Sequence, residues 1–233
     1  MKILYQGSPG AYSHLAALQV YPDAEIISCK TFDQCFEKAK KNDELRIIIP
    51  ESNRTTGSIG IEYLIFKYRL NIYAEHFLKI EHNLLGMKGA KVKDLKNVFS
   101  HAQALSQCSK FINNNELIAN IHADTAGSAE LISKNKKKNE AAIASKLSAE
   151  IYNLEIIAKN IEDEKGNATR FLIMGNRVQQ PDKHKGKFIT SILFKLKSKP
   201  AALYQSLGGF AINSVNLTKL QSYPEKNSFT SYF

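Results

Sequence analysis

Apolar positions along the chain fall into short runs separated by longer stretches of helical spacing. The runs are KILY (2–5), EIIS (25–28), LRIII (45–49), NVFS (97–100), AAIA (141–144) and LEIIA (154–158). Between them, stretches such as 9–20 and 31–40 repeat apolar residues three and four apart, so the pattern predicts alternating strands and helices and an α/β fold. Helix starts are marked by side chains that accept orphan N–H groups. Ser8 with Pro9 after it, Thr31 with Gln34 as a capping box, and Asp124 before TAGSAELISK each predict an N-terminus.

The run NRVQQPDKHKGK (176–187) combines Pro, Gly and charge with little apolar content, which predicts a linker, drawn at 179–187. Beyond it, FITSILFKLK (188–197) is predicted as a strand, PAALYQSLGGFAI (200–212) as a helix entered through Pro200, VNLTKLQSY (215–223) as a second strand and SFTSYF (228–233) as the start of a third. Such a β-α-β-β unit lacks the second helix and last strand of a split βαβ sheet, which predicts an uncovered sheet face.

Composition narrows the function classes. A net charge of +10 suits nucleic acid, an acidic membrane or an anionic small substrate. The lysine-rich stretches KNKKKNE (134–140) and DKHKGK (182–187) carry no interleaved aromatics, so they are taken as solvated loops and nucleic acid is not expected as a partner. No run approaches the roughly 18 apolar residues of a membrane span, and MKILYQGSPG reaches Gly and Pro too early for a signal peptide. A cytoplasmic protein is expected. Cys29, Cys35 and Cys108 have no metal-ligand spacing and read as buried thiols.

Four stretches carry candidate chemistry. YQGSPGAYSHLAA (5–17) is a strand, a turn around Gly7 and Gly10, and a helix N-terminus, which offers N–H groups to an anion or is simply a βα turn. IIIPESNRTTGSIG (47–60) is read as a strand ending at Pro50 followed by a dense polar loop, at the strand end where open α/β sheets bind ligands. In SHAQALSQC (100–108), His101 and Gln103 are read as a first helical turn in preference to ligand groups. In GNATRFLIMG (166–175), Thr169 and Arg170 open an apolar strand, so either a polar cleft faces them or they are a β-branched strand start and a surface Arg.

The order of QGSPGAYS, PESNRTTGSI, SHAQALSQC, AAIAS, IEDEKGNATRF and KPAALYQSLGGFAINSVNLTKLQSYP resembles prephenate dehydratase followed by its ACT regulatory domain, over nearly the whole chain. The resemblance implies a bilobal, periplasmic-binding-protein-like catalytic domain over 1–178, with lobe one at 1–75 and 160–178 and lobe two at 76–159. A partial ACT domain (ferredoxin-like, βαββαβ) would follow at 188–233. It implies conversion of prephenate to phenylpyruvate with loss of water and carbon dioxide, without metal or organic cofactor, in phenylalanine biosynthesis. Thr169 would be catalytic, and Ala11, Tyr12, Ser13, Asn53, Arg170 and Phe171 would bind substrate. Ala201, Ala202, Leu203, Gln221, Ser222, Tyr223 and Pro224 would form a phenylalanine site, in a homodimer.

Two departures stand out against that pattern. The family reads Pro, an aliphatic residue, Glu, Asn, Ser, where this chain has Pro50-Glu51-Ser52-Asn53-Arg54, so only Asn53 keeps its place and the roles of Glu51 and Arg54 stay open. Gln221-Ser222-Tyr223-Pro224 replaces Glu-Ser-Arg-Pro and Ala201 replaces Gly, so phenylalanine control is expected to be weak. Arogenate as substrate and a non-catalytic amino-acid-sensing module are the alternatives.

Overall fold

Parallel strands joined by helices build the first of two sheets. In the computed structural model, which describes residues 1–178, 186, 188–197, 199–224, 231 and 232, the chain divides into units at 1–180 and 181–233. The first sheet holds β1 (Lys2–Gln6), β2 (Glu25–Cys29), β3 (Leu45–Asn53), the short β4 (Gly57–Ser58) and β5 (Asn71–Lys79). Its order is β2-β1-β3-β11-β5, with β11 (Ala168–Gly175) antiparallel between β3 and β5 and β4 hairpinned on β3. The run Ile47-Ile48-Ile49 is wholly buried because both faces of β3 are covered. Ile47 and Ile49 pack with Phe36 and Leu64 from α2 (Phe32–Lys41) and α3 (Glu62–Tyr68); Ile48 packs with Ala16 of α1 (Tyr12–Val20) and with Phe171.

The second sheet, β10-β6-β9-β7-β8, is built from β6 (Asn83–Gly86), β7 (Asn97–Ser100), β8 (Ile118–Ile121), β9 (Glu140–Ala144) and β10 (Glu155–Ala158). α4 (Ala102–Gln107), α5 (Ser109–Asn114), α6 (Thr125–Asn135) and α7 (Lys146–Ile151) cover it. The predicted mixed α/β class is the observed one. The sheets are joined at 80–82 and 159–167. The expected change of lobe at 75/76 falls inside β5, which stays paired with β11 through Lys79↔Ala168.

Local rules held in part. Gln34 N donates to Thr31 Oγ1 at 3.1 Å, but the Gln34 side chain accepts from Lys30 N, one residue before the box position. Asp124 caps α6 through Gly127 N at 2.6 Å. Ser8 does not cap α1: Gly7 at φ +120 and Gly10 at φ +93 leave the helical region, so 8–11 closes as a turn and the helix opens after Ala11. Nor does β3 stop at Pro50. The extra residue Glu51 bulges, Phe171 pairs with Pro50 and Arg170 with Ser52, and the strand runs on to Asn53. The three cysteines are free and buried, and burial raises the Cys35 and Cys108 thiols.

In the second unit α8 (Ala202–Ile212) follows Ala201, whose φ of +59 is left-handed. Among the described residues, 188–197 and 215–222 form no strands, contrary to expectation; β12 (Tyr223–Pro224) pairs only with β13 (Ser231–Tyr232). Their apolar side chains, Ile192, Leu193, Leu217 and Leu220 among them, stay exposed, and so short a ladder is marginal without cover. The expected linker lies, apart from Gly186, outside the described residues. No helix among them is long and apolar enough to cross a membrane.

Candidate active site

Thr169 and Asn53 are directly opposite each other on β11 and β3, both buried, and Asn53 Nδ2 donates to Thr169 Oγ at 2.9 Å. The amide orientation follows from its other end. The backbone N–H of Thr55, which can only donate, lies 3.0 Å from the Asn53 side-chain oxygen, so that atom is Oδ1 and Nδ2 faces Thr169. Thr169 therefore accepts from Asn53, and its own proton is left to be aimed elsewhere.

The chain of bonds continues into the second sheet. Thr55 Oγ donates to Asn53 Oδ1 at 2.7 Å and accepts from Gln107 Nε2 of α4 at 2.8 Å; Gln103 Nε2 donates to Thr56 Oγ at 2.6 Å. His101 caps α4 through Gln103 N, as its position in the sequence predicted. Gln107 Oε1 then meets His82 Nε2 at 2.8 Å, and His82 Nδ1 meets Tyr12 Oη at 2.8 Å. Tyr12 Oη also lies 2.9 Å from Glu81 O. Burial pushes the Tyr12 phenol well above its usual range and pulls the His82 ring below its own.

The glycine turn forms the other side. Gly10 O accepts from Ser145 Oγ at 2.6 Å and Ser148 Oγ at 2.9 Å, Pro9 O accepts from Tyr152 Oη, and Ser8 Oγ donates to Asp124 Oδ2. Only glycine fits at position 10, since a Cβ would come within 2.9 Å of Ser148 Cα. His14 Nδ1 accepts from Gly10 N and its ring stacks on Tyr5 at 4.9 Å. Ala11 is the cap residue, Ser13 is buried in the first turn, and that turn carries N–H groups with no intrahelical acceptor.

Two residues expected to bind substrate do not join this network. Arg170 leaves β11 on the face opposite Thr169, where its Nε donates to Glu75 Oε2 at 2.7 Å and its Nη1 to Glu51 Oε2 at 3.3 Å. Strand alternation imposes this, because adjacent residues cannot share a face. Phe171 is 1% exposed and belongs to the core beneath α1. Glu51, whose role the sequence left open, is the partner of Arg170, and the Arg54 guanidinium reaches Gly166 O at 3.4 Å. His82 and Gln107 were not singled out; an isolated EHN and a Gln on a short helix carry no local signal of a shared network. Ala201, Ala202 and Leu203 lie at the start of α8, Gln221 and Ser222 in irregular backbone, and Tyr223 and Pro224 in β12.

A family model described as prephenate dehydratase matches residues 3–179. The chain is 39% identical over 227 residues to arogenate dehydratase/prephenate dehydratase 1 of Arabidopsis thaliana, covering 97% of this chain and 58% of that protein. It is 36% identical over 230 residues to a bifunctional N-acyl-homoserine lactone acylase/prephenate dehydratase of Komagataeibacter europaeus, covering 98% and 82%. The crystal structure of the prephenate dehydratase from Staphylococcus aureus superposes with a TM-score of 0.81 at 28% identity, covering 100% of this chain and 87% of that one. The chain spans slightly under three fifths of the length of the plant relatives.

Proposed function

The chain belongs to the prephenate dehydratase family, and from that premise we propose that it converts prephenate to phenylpyruvate, with Thr169 giving a hydrogen bond to the departing ring hydroxyl. One observation carries the proposal: Asn53 donates into Thr169 Oγ, so the threonine proton is free to point at substrate. In the reaction the C–C bond to the ring carboxylate breaks, its electrons enter the ring, and the C–O bond opposite breaks. The hydroxyl leaves while hydrogen-bonded to Thr169 and takes up one proton from solvent to become water, the carboxylate leaves as carbon dioxide, and the ring becomes aromatic. No electrons are exchanged with any other group.

Hydroxide is a poor leaving group, so a donor positioned where negative charge develops accelerates the step. One such donor contributes roughly 10²–10³ in turnover. A threonine hydroxyl is a weak acid, and its bond strengthens as the oxygen charges, which is what selective transition-state stabilisation requires. The N–H groups of the first turn of α1, at its positive dipole end, suit a substrate carboxylate. We assign Arg170 to the Glu51 and Glu75 carboxylates on the opposite face of β11 and not to the substrate.

Arogenate differs from prephenate by an amine in place of the keto group, and the plant relatives bear its name. Parallel assays decide: phenylpyruvate read by its ultraviolet absorbance from prephenate, and phenylalanine from arogenate. We expect prephenate to be turned over with the higher kcat/KM. Turnover of neither compound would overturn the proposal.

A further inference from the structure

Donor and acceptor roles along the bonds that end on Thr169 follow from one fixed group, and they reach a residue outside the reacting pair. The Thr55 N–H makes the facing Asn53 atom an acceptor, so Thr55 Oγ, 2.7 Å from the same atom, donates there. With its proton so engaged, Thr55 Oγ can only accept from Gln107, which therefore presents Nε2 to it and Oε1 to His82. An amide oxygen cannot donate. His82 must carry its proton on Nε2.

We infer that His82 is a positioning residue for this site: its Nε2–H orients Gln107, Gln107 orients Thr55, and Thr55 holds the Asn53 amide so that Thr169 receives a donor and directs its own proton outward. The inference rests on the role proposed for Thr169. His82 is built for a fixed direction. It is 3% exposed, its backbone N–H donates to Glu162 Oε2, and its backbone O accepts from Ile161 N. Tyr12 from α1 crosses the ring edge-on at 5.6 Å, with its Oη 2.8 Å from Nδ1. The charged or titratable groups facing this pocket are Glu81, Glu162 and Cys108, besides Tyr12 itself. Tyr12 Oη has one proton and two acceptors in reach, His82 Nδ1 at 2.8 Å and Glu81 O at 2.9 Å. With the ring proton fixed on Nε2 from the Gln107 side, the phenol proton goes to Nδ1, and Glu81 O keeps the Asn83 Nδ2 donor at 3.2 Å. A bond chain polarised in one direction is stronger than its separate members, so a wrong first member is felt at the last.

The test combines ring spectroscopy and kinetics on the full chain. Nitrogen-15 NMR of histidine-labelled protein, with His82 assigned by its loss in His82→Gln, should show the proton on Nε2 at pH 7–8. In steady-state assays with the substrate it turns over, His82→Leu should lower kcat by roughly tenfold or more, about the kinetic worth of one net hydrogen bond, with KM changed by less than about threefold. His82→Gln keeps an N–H near the Nε2 position and should recover most of the loss. A proton on Nδ1 would overturn the inference, as would Leu and Gln variants of equal kcat. If His82→Leu does not fold, the ring measurement and the Gln variant decide alone. Inactivity of the parent chain toward both substrates would instead strike the proposed function and leave the ring assignment standing.

Discussion

Asn53→Asp reverses one hydrogen bond at almost constant shape, and its consequences can be worked from the geometry. The carboxylate keeps the acceptor side intact, taking the Thr55 N–H and Oγ–H that now reach Asn53 Oδ1 at 3.0 and 2.7 Å. Its second oxygen, where Nδ2 now donates to Thr169 at 2.9 Å, can only accept. Thr169 must then turn its proton inward, into a charge-assisted bond about twice as strong as a neutral one. The departing hydroxyl loses its donor, a loss of about 3–4 kcal/mol or roughly 10²–10³ in kcat. A buried carboxylate also repels a dianionic substrate. At 4–8 Å and an effective dielectric of about 20 the repulsion is roughly 2–4 kcal/mol and appears mainly in KM. Three donors satisfy the new charge, so the variant should fold. Lowering the pH protonates the introduced carboxylate, whose O–H can then donate to Thr169 as the amide does, so the variant's kcat should rise as pH falls relative to the parent's. The assay is steady-state turnover from pH 5 to 8 beside thermal unfolding. A folded variant with kcat within about threefold of the parent at pH 7–8 would refute the reasoning.

Gly10→Ala forces a Cβ to 2.9 Å from Ser148 Cα at a φ of +93, and strains the carbonyl that holds Ser145 and Ser148. We expect a loss of about 2–4 kcal/mol in urea unfolding; a change below about 0.5 kcal/mol would contradict this. Arg170→Gln removes a cation from Glu51, and because the Arg170 side chain is 25% exposed the expected loss is about 2 kcal/mol, below that of a fully buried pair. Turnover of its folded form should stay within about fivefold, whereas intact stability with a hundredfold fall in kcat would return Arg170 to the cleft. His14, His76 and His82 all have ring pKa values lowered from 6.5 by burial. The unfolded chain then binds more protons, so these groups contribute stability that is present above pH 6.5 and lost as pH falls through their folded values. Urea midpoints that stay flat between pH 7 and 5 would contradict that assignment.

Strands and most helices were legible because each apolar run has one structural meaning: Ile47 to Ile49, covered on both faces, can hardly be other than a central strand. Thr31 and Asp124 were legible because a cap is a local bond. What was not legible depended on pairing. Pro50 reads as a stop, yet its position opposite a bulge lets β3 continue to Asn53, and that continuation brings Asn53 to Thr169. Arg170 was placed beside Thr169 by adjacency in sequence, but period-two alternation sends it to the other face, where residues 119 and 95 positions away supply its carboxylates. His82 and Gln107 touch across 25 positions and carry no local signal. Among the described residues, 188–197 and 215–222 form no strands for the complementary reason: β propensity forms a ladder only where partners and cover exist.

The claim that Thr169 serves as the outward-facing donor is tested most directly by two substitutions measured together. Thr169→Ser keeps the hydroxyl and the acceptor for Asn53; Thr169→Val keeps the shape, removes the proton and leaves the Asn53 amide facing a methyl group. Turnover of prephenate by purified, folded protein should fall by less than about tenfold in Thr169→Ser and by roughly 10²-fold or more in Thr169→Val. If Thr169→Val, folded as the parent is, turns prephenate over at the parent's rate, Thr169 is structural and the account is wrong.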